Sequence, residues 1–454
     1  MVGIDSLPNE LLPQLFDDCD VMEFFIRSRV SKRWRSAAAC IIALVDTSTS
    51  TFPSDKALEA VSDNLYRIAS LTLHHEDEGL LLWALSYDAA ILSSLEISTG
   101  TFYRRRAHIP SNFLGGTVGT RHLTSVTLRN AVFAFAAPGT ASFPSVRTVH
   151  IEHCQVAEGP YQGWAIPSNA LDCIAAMFPR MERLTLNLFN RNFDRHYVLP
   201  TFAAEPPTEA SAAVFARLLE FDGRSVGAQW SLLQHVSLQR IPTVMLRAKK
   251  MDRRAVEACV PEGPFRVLMD IDDDMRSAVE LCSADNKIKR TLISRTEDAF
   301  SVELLSISIA AASWRIVALS VTSIAWEALL AVPAVGFPCL HTLRIDVPND
   351  YWYHYEIHRE AEDMQSLVMP SLRLLILHKT CAEADYTWWR SELEAFLVDI
   401  LCEADKVTLA LLGMSLIEDV EDEYKTAFLR ELTGSSHDDW VDLSTNVLAG
   451  ERQM

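Results

Sequence analysis

The chain has 454 residues, 49% of them apolar, with 60 acidic against 41 basic side chains and a formal charge of −19. It is long enough to bury a large core, and its acidity argues against a nucleic-acid binder, which needs a basic face to displace counterions. Nine scattered cysteines with no C-x-x-C pair argue against a disulfide framework or a zinc site and fit a reducing compartment, the cytoplasm or nucleus.

Residues 1–9 carry Asp5 and no apolar run, so they do not read as a signal peptide. The apolar stretches at 41–45 and 310–321 are short, or broken by Ser313 and Arg315, and no membrane contact is expected. From Pro8 the pattern is helical. Proline suits a first turn because its missing N–H would be unpaired there. Leu11, Leu12, Leu15 and Phe16 then make one apolar stripe, with Pro13 placed awkwardly inside it. A second segment carries Phe24, Phe25 and Ile26. A third begins at Ser31, an N-cap type, and runs through Trp34 to Ile41. So few residues make a poor independent core, and the exposed stripe asks for a partner. A helical cap on the following domain is the alternative.

Leu7-Pro8-x-Glu10-Leu11-Leu12, Leu15-Phe16 and Val30-Ser31-Lys32-Arg33-Trp34-Arg35 together resemble the F-box motif. Cys19-Asp20-Val21 and Glu23-Phe24-Phe25 depart from the family pattern, and Arg27 stands where an apolar residue is common. The resemblance implies a three-helix module that docks a Skp-type adaptor and, through it, a cullin. It also implies that Leu7, Pro8, Leu11, Leu12, Leu15, Phe16 and Val30 form or support that surface, with Trp34 holding the bundle together.

Residues 46–54 are rich in Ser and Thr and read as a linker. After them a unit of the form apolar-x-x-apolar-x-apolar recurs. It is seen at Ile68-Leu71-Leu73, Leu92-Leu95-Ile97, Leu123-Val126-Leu128, Val146-Val149-Ile151, Met181-Leu184-Leu186 and Leu233-Val236-Leu238. It returns at Leu304-Ile307-Ile309, Ile316-Leu319-Val321, Leu340-Leu343-Ile345 and Leu372-Leu375-Leu377, with a remnant at Val407-Leu409. Each unit ends in the alternation of a strand, and helix-like stretches such as 170–177, 210–219 and 388–402 fall between some of them. Middle residues lie 24 (95−71), 23 (149−126) and 24 (343−319) apart, while wider intervals of 32 (375−343), 35 (184−149) and 52 (236−184) need inserted loops. The shorter spacing, with Phe-Pro or Met-Pro before the units at 143, 178, 337 and 369, resembles a degenerate leucine-rich repeat. A general α/β domain with a parallel sheet is the competing reading.

The expected fold is therefore α/β: an F-box over 1–45, a linker over 46–54, a leucine-rich-repeat-like solenoid with a parallel sheet on its concave face over 55–415, and an acidic cap or tail over 416–454. Alternate strand residues would face outward. From that set Arg129, His150, Glu152, Gln239, Arg344 and Asp346 are the candidate contacts to a target protein, and Arg344 leads because arginine is favoured at interface hot spots.

The catalytic patterns are incomplete. His150-Ile151-Glu152 lacks a Pro-Cys-x-x-Cys partner. His354 and His358 have metal-ligand spacing, but Tyr355 stands where H-E-x-x-H needs glutamate. The glycines at 115, 116 and 119 have no phosphate-loop lysine, and residues 270–274 have no closing glutamate for calcium. No catalytic residue, metal or other cofactor is expected. The resemblance implies the substrate receptor of a Skp–cullin–F-box ubiquitin ligase; the alternatives are an adaptor-bound scaffold without a degradation role, or a diverged α/β hydrolase.

Overall fold

The computed structural model describes residues 55–75, 78–99, 113–116, 120–129, 142–155, 170–190, 206–224, 230–248, 251–271, 276–295, 312–322, 325–326, 329, 336–347, 368–379, 387–389, 407–412 and 415–417. The F-box segment, the linker and the tail from 418 onward lie outside these residues, as does the unit expected at 304–309. The chain divides into two compact units after Ile241.

Among the described residues the first unit carries six strands, β1 (Ser70–His75), β2 (Ser94–Thr99), β3 (Ser125–Arg129), β4 (Thr148–Gln155), β5 (Arg183–Asn190) and β6 (Glu220–Arg224). Each pairs in parallel with the next in chain order. The register aligns the repeated apolar positions: Leu71, Leu95, Val126, Val149, Leu184 and Phe221 form one row, and Leu73, Ile97, Leu128, Ile151 and Leu186 a second. All are buried, which is what period-two alternation over a single core face requires.

A tight turn starts each repeat. The N–H of Ile68, Leu92, Leu123, Val146, Met181 or Leu218 donates to the carbonyl three residues earlier, at 3.0–3.2 Å for Leu92 and Met181 among them. Pro144 and Pro179 occupy the second turn position, where their fixed φ is already correct. The preceding Phe143 and Phe178 point into the core, stacked at 5.5 Å, and Phe113 meets Phe143 edge-on at 5.9 Å. The carbonyl just before one strand then accepts from the chain entering the next. Ser93 O takes the N–H groups of Thr124 (2.8 Å) and Ser125 (3.1 Å), and Arg147 O those of Glu182 (2.8 Å) and Arg183 (2.9 Å). Gly115 sits at φ +77, where a Cβ would lie 2.8 Å from the Asp88 backbone, so only glycine fits.

Helix α1 (Asp55–Asn64) precedes β1 and buries Leu58 and Val61. Helices α2 (Ala170–Met177) and α3 (Glu209–Phe215) precede β5 and β6. They are tied together by Thr208, the N-cap of α3, whose backbone N–H and hydroxyl both donate to Asp172 Oδ1 at 2.9 and 2.8 Å.

The second unit holds β7 (Thr243–Ala248), β8 (Phe265–Ile271), β9 (Arg276–Ser283), β10 (Lys289–Arg295), β11 (Ile316–Thr322), β12 (Thr342–Val347), β13 (Leu374–Lys379), β14 (Thr387–Trp389), β15 (Thr408–Leu412) and β16 (Ser415–Ile417). Its main sheet runs β7-β10-β9-β8-β11-β12-β13-β15. The last four of these strands are parallel and in chain order, like the first unit. The β8–β9 and β9–β10 pairs are antiparallel, because the connections at 272–275 and 284–288 are too short for a parallel crossover, which needs about a dozen residues. β14 and β16 form a separate parallel pair.

Three expectations need correction. Leu233-Val236-Leu238 is not a strand: a short helix (Trp230–Leu233) and turns occupy it, and the unit that forms β7 is Ile241-x-x-Val244-x-Leu246, eight residues further along the chain. Both stretches satisfy the same apolar pattern. Trp388 stands in β14 and not at the start of a helix. The in-order ladder is also interrupted by the antiparallel excursion β8–β10. The coarse class holds: both units are α/β in composition, and their sheets are mostly parallel.

Candidate functional site

In the first unit, the residues between the buried positions make two outward rows. Register places Thr72, Glu96, Thr127, His150, Thr185 and Asp222 in one, and His74, Ser98, Arg129, Glu152, Asn187 and Arg224 in the other. Neighbouring strands lie about 4.8 Å apart, so long side chains on adjacent strands meet.

Three of the candidates named from sequence come together here. Arg129 sits between two carboxylates, with Nη2 3.2 Å from Glu96 Oε1 and Nε 3.5 Å from Glu152 Oε2. His150 Nε2 lies 3.7 Å from the same Glu152 oxygen. One strand beyond β5, Arg224 Nε donates to Asp222 Oδ2 at 2.9 Å. The charged set is thus three carboxylates and two guanidinium groups around one imidazole. Burial pushes the His150 pKa below its usual value; Arg224 and Arg129 push the same way, against Glu152 and Asp222. Its Nε2 is enclosed and makes no hydrogen bond among the described residues.

Because the folded pKa is lowered, the unfolded chain binds the proton more readily. Stability from this group is full above the unfolded value of 6.5 and is lost as pH falls toward the lower folded pKa. Thermal melts of wild type and His150→Gln between pH 7.5 and 5 are expected to diverge, with the wild type losing more on acidification. Parallel curves would remove His150 as the source.

In the second unit, Arg344, Asp346 and His378 form a compact cluster on β12 and β13. Arg344 Nε donates to Asp346 Oδ1 at 2.8 Å, and His378 Nδ1 lies 2.8 Å from that oxygen and 3.0 Å from Arg344 Nη2. Nδ1 can serve only one of these neighbours at a time: bare, it accepts from Arg344; protonated, it donates to Asp346. Beyond this cluster the outward face turns apolar. Ile376, Ala410 and Leu412 occupy outward positions of β13 and β15, and all are buried.

Gln239 is not part of either face; it is exposed in the turn before β7, because the strand expected around it is displaced along the chain. Asp222 and Arg224 were not foreseen. Their strand, Glu220–Arg224, keeps only half the repeat pattern, Leu218-x-x-Phe221, with Gly223 where the second apolar residue belongs. Among the described residues no group of His, Cys, Asp or Glu is arranged to hold a metal ion, and no helix is long and apolar enough to cross a membrane. Compared with known proteins, the chain matches no family model and no curated sequence.

Proposed function

We propose that this chain is the substrate-recognition subunit of a Skp–cullin–F-box ubiquitin ligase, working in the cytoplasm or nucleus. The observation that carries the reading is the run from Leu7 to Arg35, which resembles both halves of the F-box motif and precedes a long series of parallel strands. In this reading Leu7, Pro8, Leu11, Leu12, Leu15, Phe16 and Val30 serve the adaptor. The cullin and its RING partner supply the transfer machinery, and the chain contributes proximity by holding a target's lysines near the charged enzyme.

The outward faces support a role in protein binding. Arg129 and Glu152 beside the His150 imidazole in one unit, and Arg344 and Asp346 in the other, are polar groups held by their neighbours. Held side chains lose little entropy on binding, which favours them as contacts. Such a face needs no catalytic group.

Leu11→Asp combined with Leu15→Asp is expected to abolish adaptor co-purification while the thermal melt of the remaining chain is unchanged. Each change places an unpaired charge in an interface core. Adaptor recovery equal to wild type would overturn the reading. Affinity capture with the same pair of baits yields candidate targets. Ubiquitin transfer to a captured target, lost with the double variant, separates a receptor from a scaffold that binds the adaptor without degradation.

A further inference from the structure

A different surface of the first unit carries an inference that does not depend on the adaptor. An open groove of about 470 Å³ runs along the turns that lead into β5 and β6, lined by Arg147, Pro179, Arg180, Met181, Glu182, Arg217 and Leu219. Its size is in the range of ligand-binding clefts. Arg180 and Arg217 hold the same turn position in successive repeats, one residue before the buried anchors Met181 and Leu218. Both therefore line one groove, and two like charges share it.

The carboxylates nearby are already engaged. Glu182 pairs with Arg147, and Glu220 lies 3.6 Å from Arg183. Arg217 spends its Nε on the Ala213 carbonyl at 3.1 Å, and neither Arg180 nor Arg217 forms an ion pair among the described residues. The groove lining therefore carries three guanidinium groups against one carboxylate, in a chain whose net charge is −19. Beside them the floor is apolar, and Leu219 is left 51% exposed. Unpaired adjacent arginines over an exposed leucine are unfavourable alone and complementary to one ligand chemistry: carboxylate side chains alternating with an apolar one.

We infer that this groove is a docking site for an acidic, leucine-bearing linear segment of a partner protein, with a carboxylate bridging Arg180 and Arg217 and the apolar side chain resting on Leu219. A guanidinium fork suits a carboxylate bidentately, and two of them line this groove. Nucleic acid, although also anionic, would meet the repulsion of the whole acidic molecule over many charges, whereas a short peptide places its few charges within the basic groove.

The test uses the full chain and a fluorescein-labelled peptide of repeating glutamate, leucine and glycine, read by anisotropy. Wild type is expected to bind it saturably and more weakly as salt rises, and not to bind the same peptide with lysine in place of glutamate. Arg180→Glu with Arg217→Glu should weaken binding by about tenfold or more, since both charge-assisted contacts become repulsive. Leu219→Ser should give a smaller loss. Both arginines are exposed, so thermal melts should match wild type. Arg253→Glu with Lys287→Glu, an equal charge reversal on exposed positions of the second unit, should leave binding unchanged. No saturable binding by wild type, full binding by the Arg180/Arg217 variant, or equal loss in the distant reversal would each overturn the proposal. So would a clear preference for a phosphoserine peptide over the glutamate one, since the ligand would then be a phosphate and not a carboxylate.

Discussion

Phe178→Ala is expected to destabilise the first unit by about 3–5 kcal/mol, the usual cost of removing a fully buried aromatic ring. Phe178 is inaccessible to solvent, stacks on Phe143 at 5.5 Å, and is joined through that ring to Phe113. The rings repeat because the turn repeats, so each fills the space that the next repeat leaves under its own turn. Truncating one removes aromatic contacts on both sides and leaves a cavity that flanking turns, fixed by Phe-Pro geometry, cannot close. The backbone bonds of the turn remain available, since Met181 N–H can still donate to the carbonyl at 178. Urea denaturation followed by circular dichroism measures the loss. Phe143→Ala should behave alike, and the double variant should cost less than the sum, because the two rings share one contact. A change below about 1 kcal/mol for Phe178→Ala, typical of surface substitutions, would mean that the ring column is not a core.

Leu375→Ala in the second unit is expected to cost about 2–5 kcal/mol. Leu375 stands between Leu343 on β12 and Leu409 on β15, in register with both, and all three side chains are fully buried. A cavity there opens in the middle of a row, where neither neighbour can move without breaking its own strand pairing. Leu268→Ala is the matched control. It removes the same atoms from β8, but Leu268 is 43% exposed, so little transfer free energy is lost and no closed cavity forms. Equal losses from the two substitutions would argue that side-chain size, and not position in the row, sets the cost.

Most of the parallel strands are legible in the sequence because two signals coincide in them: an apolar anchor fixing the turn, and two apolar residues alternating into the core. β1 to β5 and β11 to β13 all have this pair, whereas β15 keeps only a remnant, with Lys406 where the apolar anchor belongs. β6 has the anchor and Phe221 but Gly223 in the last place, and the alternation falls below recognition. Around 233–246 the pattern occurs twice in overlapping stretches. Local sequence cannot choose between them; the pairing of Val244 with Arg290 and Leu246 with Leu292 on β10 does. That pairing joins residues far apart in the chain. The antiparallel strands β8 to β10 carry no Phe-Pro turn, and the acidic run at 270–274 reads as a surface turn without revealing that strands leave and return through it. For the candidate site, outward position follows from alternation, so Arg129, His150 and Glu152 were within reach. Their mutual contacts depend on side chains of adjacent strands and were not. Gln239 was misplaced with its strand. The arginine groove arises from the same turn position in separate repeats, and only superposing the repeats exposes it.

The turned-back strand order of the second unit has a consequence for how the chain can assemble and be altered. In the first unit each arriving strand finds its partner already in place, so the sheet can lengthen by one repeat at a time, with short loops to close. β7 cannot grow that way within its unit. The next strand in the chain, β8, ends three places from it, and β7 meets its neighbour only when β10 returns. Residues 243–295 therefore constitute one indivisible step, with a longer loop to close before any pairing rewards it. A whole repeat could be duplicated or lost among β1 to β6 and leave a continuous sheet behind. Removal of β8 or β10 would set the reversed strand β9 against β11 or β7, which now pair in parallel with the strand removed, so this part of the molecule is the least free to vary in length.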